Sequence, residues 1–364
     1  MKTPFVVIAG QFPPPMTGFA FITQEMAKLV TTSLETIEID LSPHSAKKNI
    51  FYHLKRIQLT AKGLVRLSKN AIRAKKIFYL ACDGGLGLVY SCALAFMAHV
   101  LKYRIYIHHH SFAYIEKRAS LMAALLATAG HNATHIFLCS TMAERFTAQY
   151  GDVSFEVLSN SAFVDPPLPE ATPLLKEASA PLVIGLLSNL NKEKGLDAFL
   201  EILQTAGQQG LNVKGILAGP PENDQIRSII ATASASLKDK LDYRGPVYGD
   251  EKSKFYKEID VFVFPTRYAN EAQPTVIFEA LAHSVPVLSY DRGCILSQIG
   301  RCGAVQPKEA DFIPFVLSWI KQYSKAPDAL LQLKLDAGAA FIEDRARARQ
   351  KAINLFEKEE QKQY

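Results

Sequence analysis

The chain has 364 residues, 48% of them hydrophobic and 21% charged, with a formal net charge of +6. That composition excludes a disordered, collagenous or small disulfide-stapled chain, and at roughly 100–200 residues per domain the length implies two domains with separate cores. The charge is uneven: residues 1–165 hold 17 Lys and Arg against 10 Asp and Glu (+7), and residues 166–364 hold 24 against 25 (−1).

In chain order, the first apolar run is Phe5–Ala9, which is strand-length and closes at Gly10 and the prolines, so it reads as a strand and not as a secretory signal. Strands are also expected at Thr36–Asp40, Ile77–Leu80, Ile105–His108, His135–Cys139 and Phe155–Leu158, with helical patterns between them. From Lys47 to Lys76 there are ten basic residues and no acid. Phe51, Leu54, Ile57, Leu64, Leu67 and Ile72 run among them at helical spacings, which describes a basic amphipathic helix, either solvated or resting on anionic lipid. Nucleic acid is not expected, because no recognition motif or interleaved exposed aromatics accompany the patch. Leu86–Leu101 carries Ser91 and His99 and stops at Lys102, short of the roughly 18–20 apolar residues of a membrane span, and reads as a buried helix.

Asp165-Pro166-Pro167-Leu168-Pro169 through Ala180 breaks the alternation and reads as a linker over 166–180. Beyond it, strands are expected at Leu182–Leu187, Lys214–Ala218, Val261–Phe264 and Val285–Ser289. The alternation predicts an α/β fold of two doubly wound parallel domains, 1–165 and 181–340, facing a cleft, with ligands at the carboxyl ends of the strands. Residues 341–364 are expected to form a terminal helix that packs back on the first domain. The cysteines (Cys82, Cys92, Cys139, Cys294, Cys302) are odd in number and scattered, with no C-x-x-C pair, and are expected as buried thiols.

The most informative chemistry lies between Pro265 and Ala280, where a strand ends, a polar loop carries Glu271, and a helix starting near Pro274 carries Glu279. Proline suits a helix's first turn, and the amides of Thr275, Val276 and Ile277 would face outward at the positive end of the helix dipole, a ready place for a diphosphate. Two other patterns invite a metal reading and do not sustain it. Consecutive residues of His108-His109-His110 alternate across a strand and cannot converge on one ion, and Glu258-Ile259-Asp260 runs straight into an apolar strand. Asp83-Gly84-Gly85-Leu86-Gly87 lacks the dinucleotide-binding glycine spacing and reads as a tight turn.

In order and spacing these passages resemble retaining glycosyltransferases of family 4, whose E-x7-E motif is matched by Glu271 and Glu279. Ile184 to Asp197 is similar to that family's strand, phosphate loop and "KG-D" helix start, and Phe12 to Gly18 to its glycine-containing first loop. The resemblance implies the GT-B fold, an acceptor-binding N-terminal domain and a nucleotide-sugar-binding C-terminal one. It also implies roles: Lys194 and Gly195 at the diphosphate, Glu279 at the ribose hydroxyls, Glu271 facing the donor sugar and the oxocarbenium ion, Gly18 beside the donor, and His110 touching the donor sugar. Thr275 and Val276 join the donor site through the helix terminus. Asn189 stands where many members carry an arginine, and Arg267 or Arg244 is the candidate for the missing charge. The expectation is a metal-independent hexosyltransferase without a cofactor, using a nucleotide-sugar donor and a glycan or lipid-linked acceptor in cell-surface polysaccharide synthesis. It would be cytoplasmic and peripheral on the inner membrane face, bound through residues 47–76. The alternatives are a nucleotide-sugar 2-epimerase of the same fold, or an inactive sugar-nucleotide-binding or membrane scaffold protein.

Overall fold

A computed structural model describes residues 4–45, 50–168, 173, 175–177 and 179–356. Lys47 and Lys48 of the basic segment, and part of the 166–180 stretch, lie outside the described residues. The chain forms two compact units, the first reaching Phe163 and resuming at Arg347, the second Val164–Ala346.

Unit 1 contains β1 (Phe5–Gly10), α1 (Gly18–Thr31), β2 (Glu35–Asp40), α2 (Ile50–Lys69), β3 (Lys76–Cys82), α3 (Leu88–Val100), β4 (Arg104–His109), α4 (Ala113–Glu116), α5 (Ser120–Ala129), β5 (Thr134–Phe137), α6 (Ser140–Tyr150) and β6 (Ser154–Val157). The strands pair in parallel in the order β2-β1-β3-β4-β5-β6. β1 is buried at every position, as an uninterrupted apolar run must be when helices cover both faces of a parallel sheet. The connection reverses direction between β1 and β3, which makes their carboxyl ends the topological switch point of this sheet.

Unit 2 contains β7 (Leu182–Leu187), α7 (Leu196–Gln208), β8 (Val213–Ala218), α8 (Asp224–Leu237), β9 (Leu241–Tyr243), α9 (Gly249–Glu258), β10 (Val261–Phe264), α10 (Thr275–Ala282), β11 (Val287–Tyr290), α11 (Ile295–Ile299), β12 (Gly303–Gln306), α12 (Phe312–Tyr323) and α13 (Pro327–Ile353). Its parallel order β12-β11-β10-β7-β8-β9 puts the switch point between β7 and β10. Sequence patterning missed β9 and β12. Both are edge strands, β9 with three residues and β12 half-buried throughout, and neither has the continuous apolar run that marks a buried strand.

Position 341, at which the sequence suggested a separate helix, falls inside the 27-residue α13. Ala348, Ala352, Leu355 and Phe356 beyond it belong to the core of unit 1, where the Phe356 ring meets Tyr106 edge-on at 5.0 Å. α3 is less buried than its composition suggested: Leu94, Ala95 and Ala98 are buried, while Val89, Phe96 and Val100 are more than half exposed. No helix among the described residues is long and apolar enough to cross a membrane. Cys82 and Cys302 are free and buried, Cys92 is free but only half-buried, and Cys139 and Cys294 are not free, so the expectation of buried thiols holds for two of the five.

Candidate active site

The loops after β7 and β10 meet at the switch point of unit 2. Gly195 makes the approach possible: it adopts φ +88°, and a Cβ there would lie 2.4 Å from Pro265 Cγ and 2.5 Å from Pro265 O. The Arg267 amide donates to Glu193 O at 2.7 Å, joining the same two loops. Lys194 Nζ thereby reaches Glu271 Oε2 at 2.6 Å, and Thr266 Oγ1 donates to the same oxygen at 3.0 Å. Glu271 Oε1 has no partner among the described residues. The lysine ammonium also lies 4.6 Å from the centroid of the Tyr268 ring, on its face.

Glu279 stands a turn inside α10 and accepts from Lys252 Nζ at 2.9 Å and from Tyr256 Oη at 3.1 Å. Pro274 is the N-cap of α10 and offers no side-chain cap. The sequence suggested three outward amides here, but Ile277 N–H turns back to Pro274 O at 3.2 Å. Those of Thr275 and Val276 are left without a backbone partner among the described residues, as a helix start requires.

The two candidate arginines differ. Arg244 is spent within unit 2, ion-paired with Asp242 at 2.9 Å and with Glu258. Arg267 has no carboxylate partner among the described residues; it donates to Tyr290 Oη at 2.6 Å. Asn189 is exposed beside buried Leu190, and it is Asn191 that caps the Lys194 amide, at 2.8 Å.

In unit 1, Gly18 opens α1 at an exposed terminus where Thr17 Oγ1 accepts from the Ala20 amide at 3.1 Å. His110 follows β4 with its ring 5.1 Å from Phe19 and 4.1 Å from His108, and its buried Nε2 has no hydrogen-bond partner among the described residues. Burial pushes its pKa down to about 3, so it is neutral at physiological pH. His108 and His109 point to opposite faces, the first 2.6 Å from Tyr79 Oη, the second between Tyr114 Oη at 3.0 Å and His135 Nδ1 at 2.9 Å. No three His, Cys, Asp or Glu side chains among the described residues form a group able to hold a metal ion. At the switch point of this sheet Gln11 Nε2 donates to Asp83 Oδ1 at 2.6 Å, while Arg56 of α2 pairs with Asp83 Oδ2 at 2.5 Å, both ends of that ion pair being buried.

Residues 181–320 match the family model of glycosyl transferases group 1. The matched segment contains every strand of unit 2 and both glutamates. Over the whole chain, HepE from Anabaena, solved in complex with UDP, has a TM-score of 0.71 at 14% identity, covering 98% of this chain and 100% of HepE. Sucrose-phosphate synthase from Thermosynechococcus elongatus gives 0.67 at 14% identity, with 98% and 100% covered. A glycosyltransferase from Rickettsia africae gives 0.65 at 11% identity, with both chains covered completely. The architecture is GT-B. No curated protein matches the chain in sequence.

Four residues of the matched segment that touch the two glutamates or their loop were not singled out by the sequence. Thr266 and Tyr268 follow β10 directly, and their proximity to Glu271 was open to inspection. Lys252 and Tyr256 are 27 and 23 positions from Glu279, and only the packing of α9 on α10 brings them there. Arg292 is a further addition: the turn carrying it is held against the Glu271 loop by Cys294 N–H, which donates to Ala272 O at 2.7 Å. Gly293, at φ +58°, allows that approach, since a Cβ would lie 2.4 Å from Glu271 O.

Proposed function

We propose that the protein is a retaining glycosyltransferase that moves a hexose-type sugar from a nucleotide-sugar donor to a glycan or lipid-linked acceptor in cell-surface polysaccharide synthesis. The observation that carries this reading is the convergence, at the switch point of the second sheet, of Lys194 and Glu271 beside the uncapped start of α10, with Glu279 a turn inside it. A cation, a dipole-positive helix terminus and two carboxylates at one strand edge suit a diphosphate joined on one side to a sugar and on the other to a ribose. HepE is recorded with UDP-glucose, which supports a donor of that class.

In this reading Lys194 exchanges its partner: in the free protein it is paired with Glu271, and the incoming diphosphate takes it over. Glu271 then keeps Thr266 on Oε2 and turns its carboxylate to the sugar hydroxyls and to the positive charge that develops at the anomeric carbon. Glu279 accepts from the ribose diol. The amides of Thr275 and Val276, with Arg267 in place of an arginine at Asn189, add to the charge that stabilises the leaving diphosphate, and the acceptor hydroxyl attacks from the face of departure. His110, neutral and with no partner on Nε2 among the described residues, is assigned the hydrogen bond to the donor sugar that the family resemblance implies, and Gly18 the close approach to the donor. The charge of the diphosphate is met by side chains and amides, so activity is expected to survive EDTA.

The peripheral membrane reading rests on α2. Its buried positions are Arg56, Thr60, Gly63 and Leu67, and its apolar residues Phe51, Leu54 and Ile57 are 74%, 55% and 57% exposed. Exposed Lys55, Lys62 and Lys69 recur every seven residues along the edge of that strip, an arrangement matched to anionic headgroups over acyl chains.

The test is thermal stabilisation by UDP, GDP, ADP and dTDP, followed by transfer assays with the sugar donors of whichever nucleotide binds. A ligand at 100 times its dissociation constant stabilises by about 2.7 kcal/mol. Glu271→Gln is expected to keep the melting temperature and lower transfer by about a hundredfold or more. A variant with normal turnover, or stabilisation by none of the four nucleotides, would sink the assignment.

A further inference from the structure

Glu279 is held from behind by one face of α9. Lys252 and Tyr256 are spaced i, i+4 on that helix, so both side chains project the same way. The lysine takes Oε1 and the tyrosine Oε2. Tyr256 has a single hydroxyl proton, and its oxygen is equally near Val276 O at 3.1 Å, so Lys252 is the donor that Glu279 does not share with the Val276 carbonyl. A carboxylate offers about four lone-pair sites, and with one on each oxygen occupied from α9, one on each remains. Two acceptor sites on two oxygens, held in a fixed plane, match the two hydroxyls of a cis-diol.

We propose that Lys252 is the residue that sets ribose specificity, pinning Glu279 so that its free lone pairs meet the 2′- and 3′-hydroxyls together. This rests on the reading of Glu279 as the ribose acceptor. Lys252 also cancels a carboxylate charge beside the site of an anionic ligand, so it lowers the repulsion that Glu279 would otherwise exert on the diphosphate. Without the lysine, the carboxylate turns about its last bond and must be ordered anew by each ligand, and the contact to the 2′-hydroxyl is weakened most.

The experiment is calorimetric titration of the full chain with UDP, GDP and ADP and with dUDP, dGDP and dADP, for the parent, Lys252→Met, Lys252→Arg, Tyr256→Phe and Glu279→Gln. A hydrogen bond to a charged group is worth about 1.5–3 kcal/mol, so the parent is expected to prefer the ribonucleotide by about tenfold or more. Lys252→Met should bring that ratio below about threefold with the melting temperature retained, since its side chain is 35% exposed. Lys252→Arg should restore most of the ratio, and Tyr256→Phe should lower it by less than Lys252→Met does. An unchanged ratio in Lys252→Met would overturn the proposal, and a larger one would do so by showing that the lysine competes with the ribose. A parent that binds these nucleotides without discriminating, or a Glu279→Gln variant that discriminates as the parent does, would overturn the ribose reading itself and the proposal with it.

Discussion

Glu271 and Glu279 each have a lysine and a hydroxyl for company, but Glu271 carries both on one oxygen and Glu279 carries one on each. An Oε1 on Glu271 that none of the described residues takes up suits a carboxylate that must face a sugar, and a carboxylate braced on both oxygens suits one that must hold still. Lys194→Met is therefore expected to weaken nucleoside diphosphate binding by about tenfold or more while leaving the corresponding nucleoside unaffected, as titration calorimetry would read. Equal loss for both ligands would mean a general collapse of the loop. The histidines make a second prediction. His135 is pushed down to about 4 and His110 to about 3 by burial, and burial also lowers His108 and His109. Unfolded histidines take up protons below about pH 6.5 and these folded ones do not, so stability is complete above that pH and falls as pH drops toward 4 and 3. Each such group contributes a slope of about 1.4 kcal/mol per pH unit. Denaturant melts at pH 7.5 and pH 5 should show the loss, and His135→Gln should reduce the slope; a pH-independent midpoint would contradict it. The residue pairs with short loops between them, Thr266 and Glu271 above all, were accessible from the sequence. The Lys252–Glu279 pair was not, because nothing local says which face of α9 meets α10.

At the scale of elements, the amphipathic pattern of α2 was legible, and the direction in which it points was not. Arg56 is the reason: its ion pair with Asp83 and its stacking 4.6 Å from the centroid of the Tyr90 ring draw a polar face inward and turn the apolar face out. Lys55→Gln, Lys62→Gln and Lys69→Gln together should lower binding to vesicles of anionic phospholipid in a salt-dependent way, and Phe51→Ser with Leu54→Ser should lower it without that dependence. Equal partitioning of parent and both variants would leave α2 as a solvated helix. A polar knot serves unit 2 in a different way. Asp260, 1% exposed at the start of β10, accepts from Lys176 at 2.6 Å, from Lys334 of α13 at 2.9 Å and from the Val183 amide at 2.9 Å. Asp260→Ala would strand the buried Lys334 ammonium, with an expected cost of about 3–5 kcal/mol in chemical denaturation. The sequence showed Asp260 only as the end of an acidic triplet before a strand, since its lysines come from 84 and 74 positions away.

At the scale of the molecule, the chain closes on itself: the segment from Arg347 returns to unit 1 and supplies four residues to its core. Ending the chain at Ala346 should therefore lower the melting temperature of unit 1 and leave nucleotide binding by unit 2 in place, measured by calorimetry with and without ligand. By itself, the order of apolar runs determined two parallel α/β layers, because a strand buried on both faces must be apolar throughout and a covering helix must be amphipathic. It also determined where Glu271, Glu279 and Lys194 stand along the chain, since each sits where a strand gives way to a loop or helix. Only the tertiary structure decided which groups hold those carboxylates, which arginine is already neutralised, and which way α2 faces. Lys194 meets Glu271 across 77 positions, and Lys252 meets Glu279, and Arg56 meets Asp83, across 27; the energy that selects such contacts, desolvation against ion pairing, is a property of the packed interior and not of any local stretch.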